Sequence, residues 1–113
     1  MTNKLTIIKG DTQSIKCTFT LDGVAIDLTG ATVFFTVKEN LSDPDASAII
    51  SKTVTSHDDP TSGITYVDLS SSDTNKTPNE YYWDLKLKQE DGTITSTQYG
   101  ELVLLDHVTI RTT

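Results

Sequence analysis

From Tyr81 to Lys88 the side chains alternate in character. Tyr81, Trp83, Leu85 and Leu87 are apolar or aromatic, and Tyr82, Asp84, Lys86 and Lys88 between them carry polar groups. A period of two is the mark of a strand with one face buried. Asp91-Gly92 follows, where the chain must reverse. Glycine there is apt, because tight hairpin turns demand a positive φ that glycine tolerates. The return segment, from Thr93, is rich in threonine and ends in the apolar run Leu102-Val103-Leu104-Leu105. The stretch from Asn79 to Leu105 therefore reads as the central hairpin of an all-β domain.

The rest of the chain has the same grammar. Leu5-Thr6-Ile7-Ile8 is a short first strand, ended by Lys9-Gly10-Asp11. Ser14 to Leu21 is a second, with Ile15, Cys17, Phe19 and Leu21 expected inward and Ser14, Lys16, Thr18 and Thr20 outward. Asp22-Gly23 and Asp27-Leu28-Thr29-Gly30 are turns built from residues that favour them. Ala31 to Lys38 is a third strand, with Ala31, Val33, Phe35 and Val37 on one face. Its other face, Thr32, Phe34, Thr36 and Lys38, is polar except at Phe34. After a loop containing Asp43-Pro44-Asp45, Ala48 to Val54 is a fourth strand. His57-Asp58-Asp59-Pro60 lies in a second loop, and Gly63 to Leu69 is a fifth strand. The polar stretch from Ser70 to Asn79 leaves room for one helical turn near Ser72-Asp73-Thr74.

Seven or eight short strands, with turn signals roughly every 8–12 residues, indicate a sandwich or barrel. At 113 residues the expected architecture is a single domain over residues 1–113, an antiparallel immunoglobulin-like β-sandwich. Its expected core is Ile15, Phe19, Val33, Phe35, Val37, Trp83, Leu85 and Val103. Tyr81 falls at a strand start after a long connection, where such folds place a tyrosine corner. No window carries a sustained helical stripe of apolar residues.

Charge and composition exclude several functions. The net charge of −7 repels nucleic acid, and the lysines are scattered. No apolar run approaches the roughly 18 residues of a membrane span, and the N-terminus lacks the pattern of a signal peptide. The single cysteine, Cys17, has no intrachain partner, which fits synthesis in a reducing cytoplasm. Its inward mid-strand position suits a packed, inert thiol. His57 and His107 are far apart in sequence, and no nucleophile–base pattern accompanies them, so no enzymatic role is expected. One cysteine and two distant histidines also make no zinc pattern. The acidic pairs Asp43/Asp45 and Asp58/Asp59 would supply part of a calcium shell if both loops lay at one end of the sandwich. No cofactor and no metal are expected. Tyr82 and Trp83 are adjacent on a strand and point to opposite faces, so they cannot form one sugar-stacking platform.

Ile8-Lys9-Gly10-Asp11-Thr12, Ile26-Asp27-Leu28-Thr29-Gly30-Ala31-Thr32-Val33 and Phe35-Thr36-Val37-Lys38 together resemble the N-terminal domain of tailed-phage baseplate upper proteins. The likeness continues through Ala48-Ile49-Ile50-Ser51-Lys52-Thr53-Val54, Gly63-Ile64-Thr65-Tyr66 and Glu80-Tyr81-Tyr82-Trp83-Asp84-Leu85 to Gly100-Glu101-Leu102-Val103. The resemblance implies a structural protein of a phage or prophage of Gram-positive bacteria, made in the host cytoplasm and located in the virion. In that family the domain ties the baseplate protein to the tail while later segments hold the receptor-binding protein. Two readings stay open, an excised domain or a short stand-alone member serving as a tail or head accessory. The resemblance implies no catalytic residues.

The expected function is thus that of a non-enzymatic assembly module that docks onto other phage structural proteins and forms a homo-oligomer. Phe34, Tyr82 and Lys86 are the candidate interaction surface, since they mark the face of the sheet turned away from the core. The alternative is a host-adhesion module that binds cell-surface carbohydrate with calcium assistance.

Overall fold

The computed structural model describes residues 3–40 and 42–106. Five strands form the larger layer: β1 (Asn3–Ile8), β5 (Thr32–Lys38), β6 (Ile50–Val54), β8 (Asn79–Lys88) and β9 (Ile94–Leu105). Their order is β1-β9-β8-β5-β6, with β1 parallel to β9 and every other pair antiparallel. The facing layer is the antiparallel pair β2 (Gln13–Thr18) and β7 (Ile64–Leu69). A miniature hairpin, β3 (Thr20–Leu21) and β4 (Val24–Ala25), extends from it. Seven of the described strands are five residues or longer, in keeping with the expected seven or eight, and the two-residue strands β3 and β4 bring the described total to nine. The helical turn expected near Ser72 is α1 (Ser71–Thr74), closed by a capping box between Ser70 and Asp73.

This is an immunoglobulin-like sandwich. β2 and β7 correspond to its B and E strands, and β6, β5, β8 and β9 to C′, C, F and G. Tyr81 makes the tyrosine corner: at the start of β8 its hydroxyl donates to the backbone oxygen of Thr77. Burial raises the Tyr81 pKa, and the Glu39 charge adds to the rise. Antibody domains carry the F-strand cysteine two residues beyond that tyrosine. Here the position holds Trp83, which is 5% exposed. Its ring lies 6.0 Å from that of Phe35 on β5, tilted by 37°, within the range of favourable aromatic pairs. Cys17 on β2 stays a buried free thiol, and burial pushes its pKa up to about 11. Trp83 thus stands where the F strand of antibody domains has its cysteine, and Cys17 is left without a disulfide partner.

The inward faces contain Cys17, Val67 and Leu69 from one layer, and Ile7, Val33, Phe35, Val37, Trp83, Leu85, Leu87, Leu102 and Leu104 from the other. Two polar contacts bolt the layers together. His57 hydrogen-bonds through Nδ1 to the Thr65 hydroxyl at 2.9 Å and through Nε2 to the Ala31 carbonyl at 2.7 Å. At the rim, Lys52 on β6 pairs with Asp73 of α1 at 2.7 Å. The turn at Asp27 also belongs to the core. The Asp27 carboxylate accepts from the backbone N–H and hydroxyl of Thr29, and this Asx-type turn drives Leu28 to complete burial. The Thr29 hydroxyl, more than its N–H, holds the Asp27 carboxyl below its ordinary range.

Two expected core residues, Val103 and Ile15, and one residue expected inward, Leu21, are not fully buried. Val103 faces outward and is only partly buried, while Leu102 and Leu104 take the inner face. The cause is a β-bulge: Leu85 pairs with Gln98 but Lys86 with Ser96, so one extra residue in β9 reverses its alternation. Leu21 is 68% exposed, because the chain leaves the β2 ladder at Phe19 and starts the small hairpin. Ile15 is half-buried at the edge of the core.

Candidate functional site

The sequence places Phe34, Tyr82 and Lys86 on the outward side of two strands, and the ladder brings them together. Across β6, β5, β8 and β9 the outer face is arranged in rows. Thr53, Phe34 and Lys86 form one; Ser51, Thr36, Asp84 and Tyr99 the next; Lys38, Tyr82 and Glu101 the third. The middle row has short side chains at its centre, Thr36 opposite Asp84. Taller side chains stand around them: Phe34, Tyr82 and Tyr99, with Lys38, Lys86 and Glu101. Short residues ringed by long ones make a groove, here of about 610 Å³. That volume falls in the range of ligand-binding clefts, which are mostly apolar with a few placed polar groups.

Phe34 is half-buried, while Tyr82 is 40% and Tyr99 55% exposed. The lining contains two lysines, Lys38 and Lys86, and two carboxylates, Asp84 and Glu101, and so carries no net charge. The molecule as a whole carries −7. The groove is therefore a neutral, aromatic region on an acidic surface, chemically suited to an uncharged or amphipathic occupant. Trp83 contributes to it only from beneath: its indole N–H donates to the Glu101 carbonyl at 3.2 Å.

Tyr99 was not among the residues singled out from the sequence. Uninterrupted alternation from the turn pairs it with Trp83 on the inner face; the bulge turns it outward, opposite Asp84. The one available signal was its own polarity, a hydroxylated ring between Gln98 and Gly100.

The other candidates do not converge on chemistry. A shared calcium shell would require the two acidic loops to lie at one end of the sandwich; they lie instead at opposite ends of the β5–β6 ladder. Asp43 instead accepts from the Asn40 N–H within its own loop, at 3.1 Å. Asp58 lines a polar depression of about 490 Å³ on the outside of β2 and β7, with Ser14, Ser56, Tyr66 and Asp68. Among the described residues, no three His, Cys, Asp or Glu side chains gather where a metal ion could sit. His57 is an interlayer contact, and His107 lies outside the described residues. Among the described residues, no helix is long and apolar enough to cross a membrane.

Residues 2–99 match the family described as the BppU N-terminal domain. Among solved structures, the chain is similar to the N-terminal domain of phage TP901-1 ORF48, with a TM-score of 0.55 and 19% identity, over 91% of this chain and 85% of that one. It is also similar to CopC from Methylosinus trichosporium OB3b, with a TM-score of 0.55 and 12% identity, over 96% of this chain and 89% of that one. At such identities the likeness is one of fold. No curated protein matches the chain significantly.

Proposed function

Because the chain belongs to the family of BppU N-terminal domains, the structural domains of phage baseplate upper proteins, we propose that it is a non-enzymatic assembly module of the tail baseplate. It docks onto neighbouring virion proteins through the groove on its five-stranded sheet, as one domain spanning residues 1–113. The observation that carries this reading is the groove itself. Phe34, Tyr82, Lys86 and Tyr99 line one neutral, aromatic cleft on an otherwise acidic surface. Protein interfaces are enriched in such aromatic anchors and depleted of unpaired charge at their centres.

The test is incorporation. In phage particles carrying Tyr82→Ser together with Lys86→Glu, the variant should be made and folded yet missing from purified virions by immunoblot. Normal incorporation of that variant would take the groove out of the docking surface. Absence of the wild-type protein from virions would end the structural reading altogether.

The exposed rings of Tyr82 and Tyr99 favour a second reading, a host-surface glycan stacked in the same groove. Calorimetry with cell-wall polysaccharide decides it; no heat with the wild-type protein would remove this alternative.

A further inference from the structure

The small β3–β4 hairpin stands in contrast to the groove. Its turn, Asp22-Gly23, has φ of 52° and 81°, so both central residues are left-handed, as the tight two-residue turn of type I′ requires. Leu21 and Val24 pair directly across it, and each is 68% exposed. Residues directly opposite in a hairpin project to the same side, so the two side chains form a single apolar knob. Around Gly23 an added Cβ would meet nothing within 4 Å, which leaves the tip standing clear of the body.

The base of the hairpin, unlike its tip, is fixed. The Ile26 N–H donates to the Phe19 carbonyl at 3.0 Å, and the Phe19 N–H to the Gly63 carbonyl at 2.9 Å. Phe19 itself is 2% exposed. Gly63 fits there only without a side chain, since a Cβ would come within 2.5 Å of the Phe19 oxygen. An apolar pair held out on an anchored turn has little conformational freedom left to lose on binding.

We propose that the groove is filled by the β3–β4 tip of a second copy of this chain, Leu21 and Val24 seated among Phe34, Tyr82 and Tyr99. This rests on the groove being the docking surface and names its occupant. Asp22 at the crown of the knob carries the tip's only charge; the lining holds Asp84 and Glu101 beside Lys38 and Lys86, so the knob would seat with its turn at Lys86 and away from both carboxylates. The hairpin extends from the β2–β7 layer, whereas the groove opens on the outer face of the other layer. Knob and groove thus lie on different surfaces of one molecule. Contact between them is head-to-tail, and repetition builds a ring or an open filament.

Light scattering on the purified protein over a wide range of concentrations tests this. The wild type should associate progressively with concentration. A tip variant, Leu21→Asp with Val24→Asp, and a groove variant, Tyr82→Ser with Tyr99→Ser, should each remain monomeric with native circular dichroism. Mixed together, they should form a 1:1 dimer and nothing larger, because one intact knob then meets one intact groove. A groove-on-groove dimer would not be restored by mixing. A wild type that is monomeric throughout, a tip variant that still associates, or mixed variants that ignore each other would each overturn the proposal. So would wall polysaccharide seated in the groove of a monomeric wild type. A monomeric wild type that still enters virions through an intact groove would refute the self-docking alone and leave the assembly role standing.

Discussion

Tyr81 and Tyr82 are consecutive on β8 and lie on opposite sides of the same sheet, the first 4% and the second 40% exposed. Tyr81 spends its hydroxyl on the Thr77 carbonyl and its ring on the core. Tyr82 has its ring in the groove. The division runs along the strand: Trp83, Leu85 and Leu87 hold the layers together, while Asp84 and Lys86 line the cleft. One strand therefore does two separable jobs, and the two faces should respond differently to substitution.

The largest effect belongs to the inner face. Trp83→Ala removes the largest core side chain and its contact with Phe35, and should cost about 3–5 kcal/mol, measured as a fall in the urea midpoint. A folded Trp83→Ala protein that had lost only docking would reverse the assignment of the faces. Next is His57→Ala. It strands the fully buried Thr65 hydroxyl and should cost about 1–3 kcal/mol in thermal or urea unfolding. A neutral result would show that the His57 contact does not help to hold the layers together.

The rim pair is smaller still. The hydrogen bond from Lys52, aided by those from Ser70, lowers the Asp73 pKa below its usual 3.8. A carboxyl with a depressed folded pKa contributes stability above its unfolded pKa and loses it as pH falls through the folded value. Acid unfolding below about pH 4 should therefore include this contribution in the wild type and less of it in Lys52→Met. At neutral pH the two should differ by under about 1 kcal/mol, as partly exposed ion pairs do. Smallest of all, Tyr82→Ser should change stability by no more than about 0.5 kcal/mol while abolishing docking. A large loss of stability there would merge the two faces into one.

Much of this division was legible in the sequence because alternation is a local property. Ala31 to Lys38 and Tyr81 to Lys88 display their two faces directly, and both faces fall as the pattern predicts. Val103 and Tyr99 were misplaced or missed for one shared reason. The bulge opposite Leu85 and Lys86 shifts β9 by one residue, and a shift of one exchanges every side chain between faces. No residue type in the Thr-rich return strand announces that bulge; pairing with β8 determines it. Leu28 was hidden in a similar way. Turn chemistry was evident in Asp27-Leu28-Thr29-Gly30, but that the turn would bury its leucine depends on the distant carbonyl of Pro60, which accepts the Leu28 N–H at 2.8 Å. The groove followed the same rule. Its members on β5 and β8 were individually visible as outward residues, but those on β9, Tyr99 and Glu101, were hidden by the bulge, and the convergence of all of them required the register of four strands.

The parallel pairing of β1 with β9 has a mechanical consequence. Asn3 lies beside Gly100 and Ile8 beside Leu105, so Asn3 and Leu105 are at opposite ends of the shared ladder. A tension that draws those two points apart runs along the strands and stretches all the bonds of that ladder at once, in shear. It does not peel them one after another, as it would in a hairpin pulled from its open end. Sheared ladders yield only when many bonds fail together. A domain strung into a tail along this axis would transmit pull through that ladder, and Gly100 and Glu101, which belong to it, would carry the load to the edge of the groove.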